Sequence, residues 1–98
     1  MNVKYSLHNI VFEWDSQKAA TNLRKHSITF ELACEAFFDP FICYLDDEMI
    51  DGELREAIMG LNTTWQLLYV VYVMRDDIIR IISVRLVTNT ERETYENR

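Results

Sequence analysis

Trp65-Gln66-Leu67-Leu68-Tyr69-Val70-Val71-Tyr72-Val73-Met74 and, beyond Arg75-Asp76-Asp77, Ile78-Ile79-Arg80-Ile81-Ile82-Ser83-Val84-Arg85-Leu86-Val87 are the stretches on which the fold turns. Both are rich in β-branched and aromatic residues, which suit a pleated, half-buried surface, and the aspartates between them are turn chemistry. The first is apolar on both parities over most of its length, as expected of a central strand covered on both faces, by helices on one and by loops or a partner on the other. Outward toward the N-terminus, Phe41–Leu45 and Arg55–Leu61 share this composition and are set off by Asp, Asn, Thr or Gly. Four strands with short turns predict an antiparallel meander.

Before Pro40 the period becomes helical. Ile10–Trp14 reads as a short strand ended by Asp15, a good N-cap. Ala19, Leu23 and His26 then fall at i, i+4 and i+7, which predicts an amphipathic helix over residues 16–26, interrupted at Ser27. Thr29 is a second N-cap, followed by Phe30, Ala33 and Phe37 on one face, and this helix ends at Asp39-Pro40 because residues before proline avoid helical geometry. Thr90–Glu96 resembles a short third helix. The expected fold is α+β: two N-terminal helices packed on a mainly antiparallel four- to five-stranded sheet, with a short C-terminal helix. Residues 1–98 form one domain in this reading, with 1–9 as an N-terminal extension.

Composition agrees. Ninety-eight residues suffice for one core, and 49% hydrophobic residues with only 2 Gly and 1 Pro exclude a disordered or low-complexity chain. The longest apolar run, Leu67–Met74, has 8 residues, against about 20 for a membrane helix. The first residues lack the apolar core of a signal peptide, so a cytoplasmic chain is expected. Cys34 and Cys43 stand outside any Cys-x-x-Cys or Cys/His spacing and read as buried thiols, not as a disulfide or zinc site.

The net charge is −6, the wrong sign for holding nucleic acid by bulk charge, so any polyanion must meet a local basic site. Most of the net negative charge lies in Asp46, Asp47, Glu48, Asp51, Glu53 and Glu56, around the single cation Arg55. This segment reads as a solvated loop, or more sharply as an epitope for a basic partner. It lacks the ladder of a calcium loop, and no metal site is assigned. The first helix, in contrast, carries Lys18, Arg24 and Lys25 against Asp15 alone. Arg75, Arg80 and Arg85 add a second positive line in or beside the last strand pair.

Ser83 and Arg85 are two apart in one strand and leave the same face, whereas alternation puts Arg80 on the other. Arginine's planar fork fits phosphate oxygens bidentately; the blander role is an ion pair with a carboxylate on a neighbouring strand. His26, beside Lys25, is the only histidine outside the N-terminal extension, and histidine exchanges protons between pH 5 and 8. If His26 faces the sheet, Lys25, His26, Arg80, Ser83 and Arg85 converge. RNA cleavage needs little more: a group to take the 2′-hydroxyl proton, cations to steady the phosphorane, and a proton donor for the leaving 5′-oxygen.

Two blocks carry a family likeness. Phe12-Glu13-Trp14-Asp15-Ser16-Gln17-Lys18, with Asn22, Lys25-His26, Phe30, Ala33, Phe37 and Asp39-Pro40, resembles the N-terminal signature of the BrnT toxins. Arg80-Ile81-Ile82-Ser83-Val84-Arg85, with Thr88, Glu91-Arg92 and Tyr95, resembles that family's last strand and tail. The resemblance spans about residues 11–97. It implies a RelE-like α/β ribonuclease toxin of a type II toxin–antitoxin system, which halts translation and is neutralised by a ribbon-helix-helix antitoxin, BrnA. It also implies complexes of two toxins with two antitoxins, bound to operator DNA through the antitoxin, and no cofactor. Carried onto this chain, the catalytic candidates are Lys25, His26, Arg80, Ser83 and Arg85, and the RNA-binding candidates Lys18, Arg24, Arg75 and Tyr95.

There are two departures from the family pattern. Ser27 stands where members usually have glycine, and so must make the turn after the helix without glycine's freedom at positive φ. The acidity should weaken non-specific RNA capture. An alternative reading is therefore a non-catalytic binding module, a co-repressor in a DNA-binding toxin–antitoxin complex, whose Arg/Ser face is structural or meets the partner.

Overall fold

The computed structural model describes all of residues 1–98. Strands β5 (Glu53–Leu61), β6 (Leu67–Arg75) and β7 (Ile78–Leu86) form the expected antiparallel meander. Beside β7 runs β2 (Ile10–Asp15), paired in parallel through Phe12 with Ile79 and Glu13 with Arg80. The strands β1 (Asn2–Leu7), β3 (Cys43–Tyr44) and β4 (Glu48–Ile50) complete a seven-stranded sheet of order β1-β2-β7-β6-β5-β3, with β4 on β5. β6 lies inside this sheet, as its two apolar parities require.

The strand count corrects the expectation of four to five. The N-terminal extension before residue 10 forms a strand of its own: Val3, Tyr5 and Leu7 alternate with polar residues and pack on the core. It joins β2 through His8-Asn9, both at positive φ (49° and 67°), the geometry of a two-residue primed turn. The acidic segment holds a second such hairpin, β4–β5, turned at Asp51-Gly52 with φ of 51° and 76°.

The three helices are α1 (Ser16–His26), α2 (Phe30–Glu35) and α3 (Asn89–Glu96). Asp15 accepts from the Lys18 amide at 3.1 Å and Thr29 from the Leu32 amide at 3.2 Å, so both N-caps act as read from the sequence. α2 continues as a tighter turn, Ala36–Phe38, before Asp39 breaks it. Gly60 of β5 faces that turn: a Cβ there would stand 2.2 Å from the Ala36 carbonyl oxygen, so close packing demands glycine.

Ser27 caps α1 in the left-handed region (φ 59°, ψ 29°), its amide donating to Leu23 O at 2.9 Å. A side chain there costs on the order of 1 kcal/mol. Ser27→Gly is expected to stabilise the chain by about that amount, raising Tm by roughly 4–8 °C in a thermal melt.

The core lies between α2 and one sheet face, with Phe12, Trp14, Phe30, Ala33, Ile58, Val70, Ile81 and Val84 all buried. Trp14 meets Phe30 edge-on at 5.8 Å, and Phe37 meets Tyr72 likewise at 5.0 Å. Cys34 and Cys43 are buried free thiols, and burial pushes the Cys34 thiol up. No helix is long and apolar enough to cross a membrane.

Candidate active site

β2 leaves β7 after the Glu13–Arg80 pair and turns into α1, which covers the next stretch of that edge. Buried Asn22 makes the join. Its Oδ1 accepts from the Val84 amide at 3.0 Å, replacing a strand partner, and its Nδ2 donates to Ile28 O at 3.3 Å. The basic helix is thereby fixed against the middle of the last strand.

β7 is bulged there. Val71 pairs with Ser83 but Tyr72 with Ile81, leaving Ile82 as the extra residue. Strict alternation put Arg80 opposite Ser83 and Arg85; the bulge resets the parity. Ile81 and Val84 both enter the core, so Arg80, Ser83 and Arg85 share the face away from it.

A cavity of about 460 Å³ opens between α1 and β7, lined by Asp15, Lys18, Lys25, His26, Ile82 and Ser83 among others. Lys25 and His26 belong to the last turn of α1, where the helix's partial negative charge favours cations. The Lys18 amide holds the Asp15 carboxyl below its usual range, so one anion sits on the rim among these cations. No group of three His, Cys, Asp or Glu side chains is gathered where one metal ion would touch them all.

Arg80 does not line this cavity. Its Nη1 donates to Glu13 Oε2 at 2.8 Å and to Asn2 Oδ1 at 2.7 Å, tying β7 to β2; this is the ion pair with a neighbouring strand. Arg85 is engaged as well. It donates to both Glu91 carboxylate oxygens, at 2.8 and 2.9 Å, and lies 4.1 Å over the Tyr69 ring. Glu91 also closes the capping box of α3 with Thr88, so Arg85 anchors that helix to the sheet.

The hydrogen bonds from Arg85 hold the Glu91 carboxyl down at about 2, against 4.5 in an ordinary glutamate. A depressed carboxyl adds stability in full above the unfolded value and loses it as pH falls toward the folded one. The α3 anchor should therefore weaken between about pH 4.5 and pH 2. Glu91→Gln is expected to be less stable than the parent at pH 7 and to show a smaller further loss across that window, as read by thermal melts at stepped pH.

Of the other cations, Lys18 lines the cavity, whereas Arg24 is exposed and donates to Thr21 Oγ1 at 3.2 Å. Arg75 pairs with Glu53 at 3.1 Å near the β6–β7 turn. Tyr95 donates its hydroxyl to Asp39, which also accepts from the Leu61 and Phe41 amides, and Arg98 reaches Phe41 O and Ile42 O. That cluster locks the C-terminus beside a separate, more apolar cavity of about 540 Å³ lined by Pro40, Phe41, Ile42 and Tyr95 among others. So the structure brings Lys18, Lys25, His26 and Ser83 together and leaves Arg24, Arg75, Arg80, Arg85 and Tyr95 outside the cavity.

Residues 14–91 match the family model described as the ribonuclease toxin, BrnT, of type II toxin–antitoxin systems. Among solved structures, the crystal structure of the Brucella abortus ribonuclease toxin BrnT is similar, with a TM-score of 0.52 and 20% identity over 78% of this chain and 94% of that one. At that identity the likeness concerns the fold. No curated protein sequence matches the chain.

Proposed function

This chain belongs to the BrnT family of ribonuclease toxins of type II toxin–antitoxin systems, and from that premise we propose that it cuts RNA in the cleft between α1 and β7 by 2′-hydroxyl attack, without a metal ion. The observation that carries this reading is the meeting of Lys25, His26 and Ser83 on one cavity, on a chain whose overall charge is −6. A polyanion finds local positive charge there. The 2′-oxygen forms a bond to phosphorus as the bond from phosphorus to the 5′-oxygen breaks, giving a 2′,3′-cyclic phosphate and a free 5′-hydroxyl. His26 and Lys25 manage the proton leaving the 2′-oxygen and the one delivered to the 5′-oxygen. Lys18 and Lys25 neutralise the phosphorane, and the Ser83 hydroxyl donates to a phosphate oxygen. Arg80 and Arg85 act as positioning residues, the first holding the β2–α1 junction to β7 and the second holding α3.

A toxin of this class has an antitoxin partner and an RNA substrate. We read the antitoxin as a BrnA-like ribbon-helix-helix dimer that carries two toxins, reaches operator DNA and restrains a cytoplasmic translation inhibitor, and we read the fold as RelE-like. Purified chain incubated with RNA tests the enzyme: cleavage unchanged by EDTA is expected, and inhibition by EDTA would remove the metal-free step. Intact RNA, combined with tighter operator binding by the antitoxin when this chain is present, would instead establish the co-repressor reading that the net acidity favours.

A further inference from the structure

Ser83 and Ile82 border a second cavity, of about 210 Å³, on the face of the sheet away from the core; Arg55, Asp46, Glu48, Glu56 and Tyr69 also line it. Arg55 is unusual within it. Every other arginine makes a hydrogen bond or an ion pair, whereas Arg55 makes neither and its buried Nε has no partner. Buried donors are rarely left so. Glu48 stands directly opposite Arg55 in the β4–β5 ladder, where side chains ordinarily meet, yet no carboxylate comes within 4.0 Å of its guanidinium. The cavity thus holds one cation and three carboxylates, Asp46, Glu48 and Glu56, around a small space walled in part by apolar side chains.

We propose that this cavity is a guanine pocket, which reads the base next to the cut phosphate and so sets the sequence preference of the ribonuclease; the inference rests on the RNA-cleaving reading above. Its chemistry discriminates among ligands. A phosphate is repelled by Asp46, Glu48 and Glu56, and an occupant that bonds both Arg55 and a carboxylate carries acceptors on one edge and donors on another. Guanine offers N7 and O6 to an arginine fork and N1–H and N2–H to a carboxylate. Adenine lacks the second pair of donors. The register Ala57–Val71–Ser83 places β5 two strand spacings, roughly 10 Å, from the residue shared with the cleft, a span for one nucleotide beside the cut phosphate.

The test uses full-length chain in two assays. Titration with 5′-GMP and 5′-AMP, followed by Tyr/Trp fluorescence, should show binding of GMP at least about tenfold tighter than AMP, and Arg55→Gln and Glu48→Gln should each abolish that preference. Short RNAs with a single G, inosine or A beside the cut should be cleaved in that order by the parent and at nearly equal rates by Arg55→Gln. Far-UV circular dichroism on both variants establishes that they fold. GMP preference without RNA cleavage would sustain the pocket while removing the enzyme. Equal binding of the two nucleotides, a preference that survives in both variants, or displacement of neither nucleotide by an arginine-rich peptide that itself binds Glu48 would overturn the pocket.

Discussion

His26→Ala is expected to leave the fold in place and to lower RNA cleavage by about 10²–10⁴-fold, the range for loss of a general acid or base. The fold survives because His26 is exposed at the end of α1, and surface substitutions away from special features change stability by about 0.5 kcal/mol or less. The rate should fall because His26 is the one histidine on the cleft, and the Asp15 carboxylate there is held in its anionic form by the Lys18 amide. Cells producing the variant should escape growth arrest while the soluble protein accumulates normally. A variant within about tenfold of the parent rate would place proton transfer elsewhere.

Arg80→Ala, in contrast, should act on the fold. The Arg80–Glu13 pair is 19% and 11% exposed, and removing one partner strands a largely buried carboxylate, at a cost of about 3 kcal/mol. For a domain of this size that lowers Tm by roughly 12–24 °C. Pairing it with Glu13→Gln removes the stranded charge and should recover much of the loss. This double variant also separates the two roles open to Arg80. Cleavage within about tenfold of the parent, once folding is restored, is the result for a positioning residue; a deeper loss in a stable protein would mean that Arg80 reaches the phosphate.

The sequence was legible where local chemistry repeated itself. The caps at Asp15 and Thr29 and the β-branched and aromatic runs of β6 and β7 each signal one element by more than one rule, whereas the spacing of Ala19, Leu23 and His26 marks the extent of α1 but not its buried face, which carries Asn22 while Leu23 and His26 stay exposed. The hairpin at Asp51-Gly52 was legible too, since an Asp-Gly pair is a strong turn signal, but six carboxylates nearby made the stretch read as solvent-exposed loop. β1 hid behind its length and its chain end, although Val3, Tyr5 and Leu7 alternate. The bulge at Ile82 was not legible, because it follows from register with β6, and a one-residue change moves every later side chain to the other face.

The same limit applies to the site. Lys25, His26 and Ser83 were named from type and spacing, and the cavity unites them because Asn22 docks α1 on the edge that β2 vacates. Asn22 appeared in the sequence as one motif residue among several; what marks it is a buried amide bonded to two backbone groups far apart in the chain. Glu13 and Glu91, the partners that occupy Arg80 and Arg85, also sit within the motifs, but pairing is a property of contact between elements. Arg55 reads in the sequence as the lone cation of an acidic stretch, and its want of a partner is visible only in three dimensions.

On the proposed mechanism the α1–β7 cleft cuts RNA through the 2′-hydroxyl with the chain's own side chains. The direct measurement is the chemistry of the cut ends, by mass spectrometry of a defined RNA digested in EDTA by the parent and by His26→Ala. A 2′,3′-cyclic phosphate on one fragment and a 5′-hydroxyl on the other, with both products nearly absent from the variant digest, is the predicted result. A 3′-hydroxyl with a 5′-phosphate, or cleavage that appears only when a divalent ion is restored, would contradict it.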